Sequence, residues 1–547
     1  MAAKQQAAAA GHPAEADAAI RVLADGGNAV DAAIAGAFCA AAVEPNNAGL
    51  AGYGHLVSWD PARGTFLSVD HGPWAPDAAR ADMFPIVAGD ADPGSPYDGP
   101  TVVDAASSSG GRATAVPGMV RGLCAAHDQA GRLPLAQILQ PAIELADAGF
   151  QVDWPFALVS AAEFDRLRRS AAAGWMLHDG KPPRATDHWG PGTLLDTSGI
   201  ARTLERVAHG GADAFYSGTI AQAIVDALAA EGGVITLADL AAYRPTITTE
   251  RPTRFGRFSV AVGDDDLSHL LFGLLDALQL PVGDPLSADC LHLLAEAFGH
   301  AFADGVTWSG DPAFTPDASA TLRSSDYRTL RAASIDRQRA VQRPVAPGPV
   351  AAPLPLGSGG TDGTTQVVTR DAGGGMAVVI TTIGQDFGSG VFIPALSGFG
   401  NSGMANFDPR PGRSNSIAPR KRPLFGVPTA IAVDQAGHGV AACGGSGGWA
   451  ITSSVTHAMV NSLHHGLTAE EAVSLPRVWC EGGLTYVDDR VPPETIAELR
   501  RRGHPVETRT LTPASEPFAR CSLISVRADG AVDAASDPRW HGATRTL

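Results

Sequence analysis

Residues 364–390, TTQVVTRDAGGGMAVVITTIGQDFGSG, decide the fold and organise the rest of the chain. Two runs rich in β-branched residues, 365–370 and 376–383, flank an aspartate and glycine turn, a pattern that predicts a β-hairpin. Residues 343–363 just before it, RPVAPGPVAAPLPLGSGGTDG, are crowded with proline and glycine and indicate a linker. A cleavable linker that ends at a threonine opening a strand is the arrangement that an N-terminal threonine nucleophile requires.

The chemistry of such a threonine depends on its free amine. Cleavage between Gly363 and Thr364 would leave Thr364 with an α-amino group, whose ordinary pKa of about 7.7–8.0 suits a base near neutral pH. The hydroxyl would then attack an acyl carbon, and water or an acceptor amine would release the acyl group. On this stretch alone, Thr364 and Thr365 also fit an ordinary loop-to-strand junction.

Composition narrows the class of protein. The chain has 547 residues, 45% of them hydrophobic, with a formal net charge of −17 and a pI of about 5.3. The acidic balance argues against a nucleic acid or an anionic membrane as partner. No apolar run reaches the roughly 18 residues of a membrane span, and the N-terminus lacks a signal-peptide core, which predicts a cytoplasmic protein.

Nothing in the sequence predicts a metal or another cofactor. The six cysteines are far apart, form no CxxC pair and are expected to be buried thiols. The sixteen histidines include no HExxH motif.

The predicted elements change character at the linker. Before it, helical patterns predominate, such as residues 15–23, 29–43 and 290–304. After it come the hairpin, further strands at residues 429–433, 439–443 and 521–526, and helices near residues 451–464 and 494–502. Helices and hairpin strands are segregated, which favours a layered α+β sandwich over a parallel doubly wound sheet.

A second glycine-rich stretch lies between a predicted strand and a helix. Residues 444–448, GGSGG, have backbone N–H groups that can approach a substrate closely, and two such amides form an oxyanion hole. No Gly-Lys-Ser/Thr follows, so the stretch is not a phosphate-binding loop. A tight strand-to-helix turn explains the same glycines equally well.

The same stretch also fits a serine nucleophile elbow. Gly444-x-Ser446-x-Gly448 is followed by Asp488 or Asp489 and then by His504, the order that an α/β-hydrolase triad requires. The Ala-rich helical first half and the short stretch after Ser446 do not supply that fold's alternating strands and helices. The esterase hypothesis is therefore the weaker alternative.

Several segments together resemble the γ-glutamyltranspeptidase family of N-terminal nucleophile hydrolases over nearly the whole chain. The matching segments, in order, are GGNAVDAAIAGAFCAAAVEP (26–45), the glycine turn GLAGYGH (49–55), AVPG (115–118), QPA (140–142), TTQ (364–366), FGSG (387–390), KRPL (421–424), SGG (446–448) and SDPR (536–539).

This resemblance implies an αββα sandwich and self-cleavage before Thr364 into a large subunit, residues 1–363, and a small subunit, residues 364–547. It implies that Thr364 is nucleophile and base, and that Thr382 hydrogen-bonds it. It also implies that Gly447 and Gly448 supply the oxyanion amides. The partners implied are a small acyl substrate and the other fragment of the same chain, with a dimer of such heterodimers left open.

The substrate pocket departs from the family pattern. The arginine that grips a glutamyl carboxylate should fall near His71, and the family asparagine after the second threonine is Gly384, beside Gln385. In the segment that holds the glutamyl amine, this chain has Asn401, Gly403 and Asn406. Loss of one partner of a buried charge contact costs about 2–5 kcal/mol, so tight binding of glutathione is not expected. The predicted substrate-binding residues are Asn401, Gly403, Asn406, Phe425, Trp449, Gln385, His71 and Arg112.

The sequence thus predicts an N-terminal threonine hydrolase that cleaves an amide or another acyl bond of a small metabolite other than glutathione. Family relatives with altered pockets include cephalosporin acylase-like enzymes and antibiotic-pathway homologues that remove an oxalyl group by C–C bond cleavage, which is an alternative here. A further alternative is an unprocessed, non-catalytic homologue, because Gln366 and Gly384 replace family residues.

Overall fold

The computed structural model describes residues 5–88, 100–177, 179–188, 190–349, 363–426, 428–512 and 518–547. Its strands are β1 (Ala7–Ala10), β2 (Tyr53–Asp60), β3 (Thr65–His71), β4 (Phe150–Gln151), β5 (Leu194–Leu195), β6 (Thr246–Thr249), β7 (Thr253–Phe255), β8 (Phe258–Ala261), β9 (Gly363–Arg370), β10 (Met376–Gly384), β11 (Phe392–Ile393), β12 (Gly398–Phe399), β13 (Ala430–Val433), β14 (Gly439–Ser446), β15 (Val478–Cys480), β16 (Thr485–Asp488), β17 (Val506–Arg509), β18 (Arg520–Val526), β19 (Val532–Ser536) and β20 (Ala543–Thr546).

The α-helices of the described residues are α1 (Pro13–Ala24), α2 (Ala29–Val43), α3 (Met119–Ala130), α4 (Leu135–Ala148), α5 (Trp154–Ala162), α6 (Phe164–Leu167), α7 (Ala172–Met176), α8 (Ser198–Gly210), α9 (Asp213–Tyr216), α10 (Gly218–Ala230), α11 (Leu237–Ala242), α12 (Asp266–Leu278), α13 (Ala288–Trp308), α14 (Ser319–Leu322), α15 (Ser325–Ala333), α16 (Ala450–Leu463), α17 (Ala469–Ser474) and α18 (Pro493–Arg501).

Two antiparallel sheets form the centre of the molecule. The first has seven strands in the order β20-β1-β9-β10-β2-β3-β6, and the second has six in the order β19-β18-β14-β13-β8-β7. Apolar residues of both sheets, among them Val57, Val378, Ile431 and Ile524, pack into one buried cluster between them. The sheets are therefore stacked face to face, as antiparallel sheets with two apolar faces require.

Helices cover the outer face of each sheet. Helices α1 to α4, α8 and α10 share a buried cluster with inward residues of β9 and β10. Helices α12, α13 and α16 do the same with β8, β13, β14 and β18. This order of layers confirms the α+β class and the αββα sandwich expected from the sequence.

The hairpin that opens the sequence analysis is present. The side chain of Asp371 accepts hydrogen bonds from the N–H groups of Gly373 and Gly375, each at 2.9 Å, and thereby closes the turn. It also accepts from Ala29 N at 3.1 Å, which ties the turn to the start of α2. The turn fixes the register, so that Arg370 lies opposite Met376 and Thr364 opposite Thr382.

Helix α2 supports the strand that carries the threonine. It begins with a capping box between Asn28 and Asp31, and all of its residues are buried. A Cβ at Gly36 would lie 2.9 Å from Cγ1 of Val367, so the helix approaches β9 as closely as a glycine allows. Helix α2 thus packs closely against the helix-covered face of β9.

A second close contact in the central sheet lies between Gly54 of β2 and the backbone of β10. A Cβ there would lie 1.9 Å from the backbone oxygen of Ile380 on β10. We expect Gly54→Ala to destabilise the protein by about 3 kcal/mol, seen as a lower thermal midpoint. Gly174→Ala in α7 is the matched control, because a Cβ there meets nothing within 4 Å; equal midpoints for the two variants would contradict this packing.

Two strands of the central sheet differ from the sequence expectation. The alanine run Ala7–Ala10 forms β1, fully buried between β9 and β20, and β20 itself was not predicted.

Residues 350–362 of the predicted linker lie outside the described residues. The start of the linker is anchored by Arg343, whose Nη2 lies 2.5 Å from Oε1 of Glu296. Within the described ranges, no helix has the length and apolar character needed to cross a membrane.

Candidate active site

The structure brings Thr364 and Thr382 together. Thr364 is the second residue of β9, and its Oγ1 donates to Oγ1 of Thr382 at 3.2 Å. The Thr382 hydroxyl in turn donates to the carbonyl oxygen of Gly363 and accepts from Gly384 N at 2.9 Å. The carbonyl oxygen of the predicted scissile bond therefore accepts a hydrogen bond from the Thr382 hydroxyl. That hydroxyl is in turn fixed by the N–H of Gly384.

A β-bulge shapes this end of the hairpin. The register of β9 and β10 shifts between Thr382 and Gly384, and Gly384 has φ of +93°, a conformation that favours glycine. A Cβ at Gly384 would lie only 2.2 Å from Oγ of Ser402. The bulge orients the N–H of Gly384 so that it donates to the Thr382 hydroxyl.

The two predicted oxyanion glycines lie in a short loop between β14 and α16. Gly447 has φ of +124° and Gly448 has φ of +61°. In the described part of the chain, neither N–H donates a hydrogen bond. They precede the N-terminus of α16, where the helix dipole favours negative charge. The preceding Gly444–Ser446 belong to β14, so the turn is shorter than expected from the sequence.

Thr364 and the end of β14, from which the glycine loop begins, lie close together. Thr364 and Ser446 line the same small cavity of about 10 Å³, which is roughly the space of one water molecule. Among the described residues, Oε1 of Gln366, a buried side chain on the same wall, has no hydrogen-bond partner. The cavity beside Thr364 therefore has a polar atom in its wall.

Two buried carboxyl groups beneath β9 were not anticipated from the sequence. Oγ1 of Thr365 donates to both carboxyl oxygens of Glu15 at 3.3 Å. Burial, and then the nearby Glu44, raise the pKa of Glu15 well above its usual range. The sequence placed Glu15 at the start of a helix, and only the fold shows that it faces β9.

A large cleft of about 800 Å³ opens beside this centre. Its aromatic lining consists of Trp74, Phe314, Phe425 and Trp449. The ring of Phe425 meets Tyr53 edge-on at 4.9 Å, and Tyr53 pairs across the sheet with Thr382. Phe425 in the cleft wall therefore contacts a residue paired with Thr382, although Thr364 itself is not among the residues that line the cleft.

The charge of the cleft is predominantly negative. Its charged lining residues are Asp70, Asp264, Asp265, Asp266, Asp311, Asp317, Arg323, Arg420 and Arg422. Each arginine is paired with a carboxylate, as in the contacts of Arg422 with Asp70 at 3.1 Å and of Arg323 with Asp266 at 2.6 Å. The cleft therefore holds more negative than positive charge.

Three predicted substrate residues lie close together, in and beside the 3-10 helix Gly403–Asn406. The amide of Asn401 donates to the backbone oxygens of Ala51 and Ala115 and accepts from the N–H groups of Ala115 and Gly403. These four hydrogen bonds are all within the fold, and the role of Asn401 in substrate binding stays a prediction. Gly403 has no room for a side chain, since a Cβ would lie 2.9 Å from that of Ala115.

His71 and Arg112 do not lie where the sequence analysis placed them. His71 is fully buried against α3, burial lowers its pKa to about 3, and its neutral ring has no charge to offer a carboxylate. Arg112 is exposed on a 3-10 turn and does not line the cleft. Neither residue is positioned to accept a substrate carboxylate.

The other three predicted pocket residues lie in the wall of the cleft or next to the bulge. Gln385 follows the bulge, and its N–H donates to Oγ of Ser402 at 2.9 Å. Phe425 and Trp449 line the cleft, and the Trp449 ring packs edge-on against Phe302 at 5.8 Å. Asn406 is buried and donates to the hydroxyl of Tyr53 at 3.1 Å.

The serine-triad hypothesis is wrong. The ring nitrogens of His504 lie 2.7 Å from His292 Nδ1 and 3.3 Å from Oγ1 of Thr485. The carboxylate of Asp488 is held by Arg490 at 2.6 Å. Ser446 ends β14, whose two neighbours in the sheet are antiparallel, so it does not occupy the parallel-strand elbow that such hydrolases use.

Two groups of side chains have the composition of a metal site: His12, Asp153 and His541, and His292, Glu296 and His504. In the second, the two facing histidine nitrogens are only 2.7 Å apart, which is a hydrogen bond rather than a pair of ligands. In the first, Nδ1 of His12 accepts from Ala14 N, so the neutral ring carries its proton on the nitrogen that faces Asp153. Neither group fits a bound cation.

Comparison with known proteins agrees with this geometry. The family model described as gamma-glutamyltranspeptidase matches residues 16–547. The acylase ACY 1 proenzyme of Pseudomonas sp. (strain SE83) is 35% identical over 504 residues, covering 90% of this chain and 86% of that protein. The glutathione hydrolase proenzyme of Bacillus subtilis (strain 168) is 30% identical over 515 residues, covering 91% and 84%. The crystal structure of cephalosporin acylase from Bacillus halodurans matches with a TM-score of 0.82 at 25% identity, covering 99% of this chain and 96% of that one.

The four-layer fold, with a threonine at the start of a central strand beside a glycine loop, defines an N-terminal nucleophile hydrolase. The chain belongs to the γ-glutamyltranspeptidase family. It is an enzyme of the hydrolase and acyltransferase class.

Proposed function

We propose that the chain cuts itself before Thr364 and then uses that threonine to hydrolyse an acyl bond of a small metabolite other than glutathione. The observation that carries the proposal is the hydroxyl chain from Thr364 to Thr382 to the carbonyl oxygen of Gly363. It places the attacking oxygen, a neighbouring hydroxyl and the predicted scissile carbonyl in one hydrogen-bonded set.

In the first step, Oγ1 of Thr364 attacks the carbonyl carbon of Gly363. The Thr382 hydroxyl supports the negative charge that develops on the Gly363 oxygen. The C–N bond breaks, the nitrogen takes up the hydroxyl proton, and an ester joins Gly363 to Thr364. Water then hydrolyses the ester, leaving a carboxylate on Gly363 and a free amine on Thr364. The products are residues 1–363 and 364–547, which we propose stay together as two subunits.

In the second step, the amine of Thr364 takes the hydroxyl proton as the hydroxyl attacks the substrate. The N–H groups of Gly447 and Gly448 stabilise the oxyanion, and the leaving group departs with a proton. Water releases the acyl group and restores the threonine. Hydrolysis and the cytoplasmic location remain predictions from the sequence.

The pocket supports an acyl group other than γ-glutamyl. Asn401 is used within the fold, Gly403 carries no side chain, and His71 is buried and neutral. The arginines of the cleft are paired with carboxylates. We expect γ-glutamyl compounds to be poor substrates for this reason.

Thr382 provides a test of the first step. We expect Thr382→Val, which keeps the shape of the side chain, to slow self-cleavage about 10²-fold, because the Gly363 oxygen loses its O–H donor. The appearance of two fragments on a denaturing gel over time measures the rate. Thr369→Val is the control, since that buried threonine of β9 donates to the backbone oxygen of Ala29, away from the bond. Equal cleavage rates for the two variants would refute the role of Thr382.

The substrate class is tested by intact-mass spectrometry of the protein after incubation with amides, an oxalyl compound and β-lactam acyl compounds. The expected result is an acyl adduct on the fragment that begins at Thr364. An adduct only from the oxalyl compound would favour C–C bond cleavage. A chain that stays whole and takes up no acyl group would favour the non-catalytic alternative.

A further inference from the structure

The large cleft has the size and the place of a small-molecule site. Its volume of about 800 Å³ lies within the range of about 300–1,000 Å³ that is typical of ligand pockets. Trp449 in its wall directly follows Gly448, one of the two proposed oxyanion glycines. Phe425, also in the wall, meets the ring of Tyr53, which pairs across the sheet with Thr382. Two parts of the wall therefore adjoin elements of the proposed active site.

Aromatic rings supply the apolar surface of the cleft. Phe314 is 47% exposed, and the other three aromatic residues of the lining are half-buried, so their rings can contact the apolar body of a ligand. The guanidinium of Arg422 lies 5.5 Å from the centroid of the Trp74 ring and 3.1 Å from the carboxylate of Asp70. The wall thus already holds one cation between an aromatic face and a carboxylate, the surroundings that favour organic cations.

The charges of the lining are not balanced. Six aspartates line the cleft together with three arginines, a formal net charge of −3. Two charged neighbours outside the lining, Asp77 at Arg420 and Lys421 beside Phe314, cancel each other. His55 adds no charge at pH 7, because burial lowers the pKa of its ring. The negative excess therefore belongs to the cleft itself.

This excess lies on particular carboxylates. Three of the six aspartates contact an arginine of the lining, and the other three form no ion pair with any described residue: Asp265, Asp311 and Asp317. The carboxylates of Asp311 and Asp317 accept hydrogen bonds from the N–H groups of Ala313 and Ser319, which leave their charge in place. Burial raises the pKa of Asp265 to about 6, so most of this carboxyl is still ionised at pH 7.

Rings and carboxylates together select the charge of a ligand. An anion would face the negative excess, and the arginines of the lining are already paired with carboxylates. A neutral molecule would gain contact with the rings alone. A molecule with an apolar body and a positive charge would gain both the ring contact and the attraction of the carboxylates.

We propose that the cleft binds a positively charged organic group, an ammonium or guanidinium on an apolar or aromatic body, and that this group is part of the substrate. The assignment to the substrate rests on the proposed function and names its substrate class. Binding of the cation to the cleft does not rest on it and is measured without turnover.

The first test compares three probes that share a phenylpropyl body: 3-phenylpropylamine, 3-phenylpropan-1-ol and 3-phenylpropanoate. At pH 7 they are positive, neutral and negative. Their binding to the purified wild-type protein is measured by ligand-observed NMR at low salt, where charge is least screened. We expect the Kd of the amine to be about tenfold lower than that of the alcohol, and the propanoate not to bind. No binding of the amine, equal affinity for amine and alcohol, or a preference for the propanoate would overturn the proposal.

Two variants separate the charge of the cleft from its rings. Asp311→Asn combined with Asp317→Asn should raise the Kd of the amine about fivefold and leave that of the alcohol unchanged. Phe314→Ala should weaken amine and alcohol alike, by about threefold, because it removes ring contact and no charge. If the double variant bound the amine as the wild type does, these carboxylates would not be the site of the cation.

A matched control excludes a general effect of net charge. Asp284→Asn combined with Asp336→Asn also removes two negative charges. Both aspartates accept a hydrogen bond from the N–H two residues further on, as Asp311 and Asp317 do, but neither lines the cleft. The Kd of the amine should stay at the wild-type value. An equal loss of affinity in both double variants would refute a site in the cleft.

The second test asks whether the cleft holds part of the substrate. The compound is whichever amide, oxalyl or β-lactam acyl compound acylates Thr364. At ten times its Kd, 3-phenylpropylamine should slow consumption of this compound about tenfold, as competition for one site requires. The propanoate at the same concentration should not. An amine that binds the cleft and leaves the rate unchanged would overturn the assignment to the substrate.

The outcomes separate this inference from the threonine mechanism. If Thr364→Ala stays active while the amine is still preferred, the threonine mechanism is wrong and the cation site stands. If the wild-type chain is cut and acylated at Thr364, yet the three probes bind without regard to charge, only the cation site is wrong. If no compound acylates the wild-type chain, the proposed function fails, and the binding test alone decides whether the cleft holds a cation.

Discussion

Thr364→Ala should leave the chain whole at 56.1 kDa and without acyl-transfer activity. The substitution removes the hydroxyl that we propose attacks the Gly363 carbonyl and then the substrate, and that donates to Thr382. Loss of a nucleophile in a comparable hydrolase costs about 10⁶ in kcat, so activity should fall below detection. A denaturing gel measures the first effect, and an assay with whichever acyl compound acylates the wild-type enzyme measures the second.

Two further variants make this result specific. Thr364→Ser keeps a hydroxyl at the same place and should retain self-cleavage at a reduced rate. Ser446→Ala should retain both self-cleavage and turnover, because Ser446 only ends β14 beside the cavity, and His504, the histidine of the alternative triad, is bonded to His292 instead. An inactive Ser446→Ala enzyme together with an active Thr364→Ala enzyme would reverse the assignment of the nucleophile.

Gly447→Ala should lower kcat by about 10²–10³ with a smaller change in KM. Gly447 has φ of +124°, and a Cβ there would lie 2.7 Å from the Cα of Ala519. The added methyl group must move the loop, and the N–H groups of Gly447 and Gly448 would then no longer point to the oxyanion. Steady-state kinetics on enzyme that has already been cleaved isolates this effect from any effect on processing.

The control for Gly447→Ala must carry the same backbone strain without the clash. Gly530 is also in the left-handed region, with φ of +81°, and a Cβ there meets nothing within 4 Å. Gly530→Ala should cost about 1 kcal/mol of stability and leave kcat unchanged. If both variants lost activity equally, the loss would reflect general strain and the oxyanion role of Gly447 would be refuted.

The hairpin and the helix below it could be predicted because their sequence signals are local. The β-branched runs flanking residues 371–375 fix the strands, and the register follows by counting from the turn, which already sets Thr364 opposite Thr382. Helix α2 was predicted with its observed bounds because an apolar alanine-rich run follows a capping residue. These elements needed no tertiary information.

Strand β1 could not be predicted in the same way. Four alanines have low β-propensity, and only tertiary packing explains them: β1 lies between two strands, with layers on both faces that leave room for small side chains alone. Strand β20 pairs with β1, so its place also depended on a contact between the two ends of the chain.

The pocket was the least predictable part of the site. The motif alignment predicted that Asn401 binds the substrate. Only the fold shows that the side-chain amide of Asn401 already makes four hydrogen bonds within the protein. His71 was chosen by position along the chain, and its burial against α3 removes it from the substrate.

The most direct measurement is intact-mass spectrometry of the purified wild-type chain, followed by incubation with the panel of amides, an oxalyl compound and β-lactam acyl compounds. The predicted result is two fragments, residues 1–363 and 364–547, and an acyl adduct on the N-terminal threonine of the smaller one. A single uncut chain with no adduct, or an adduct on any residue other than Thr364, would contradict the threonine mechanism.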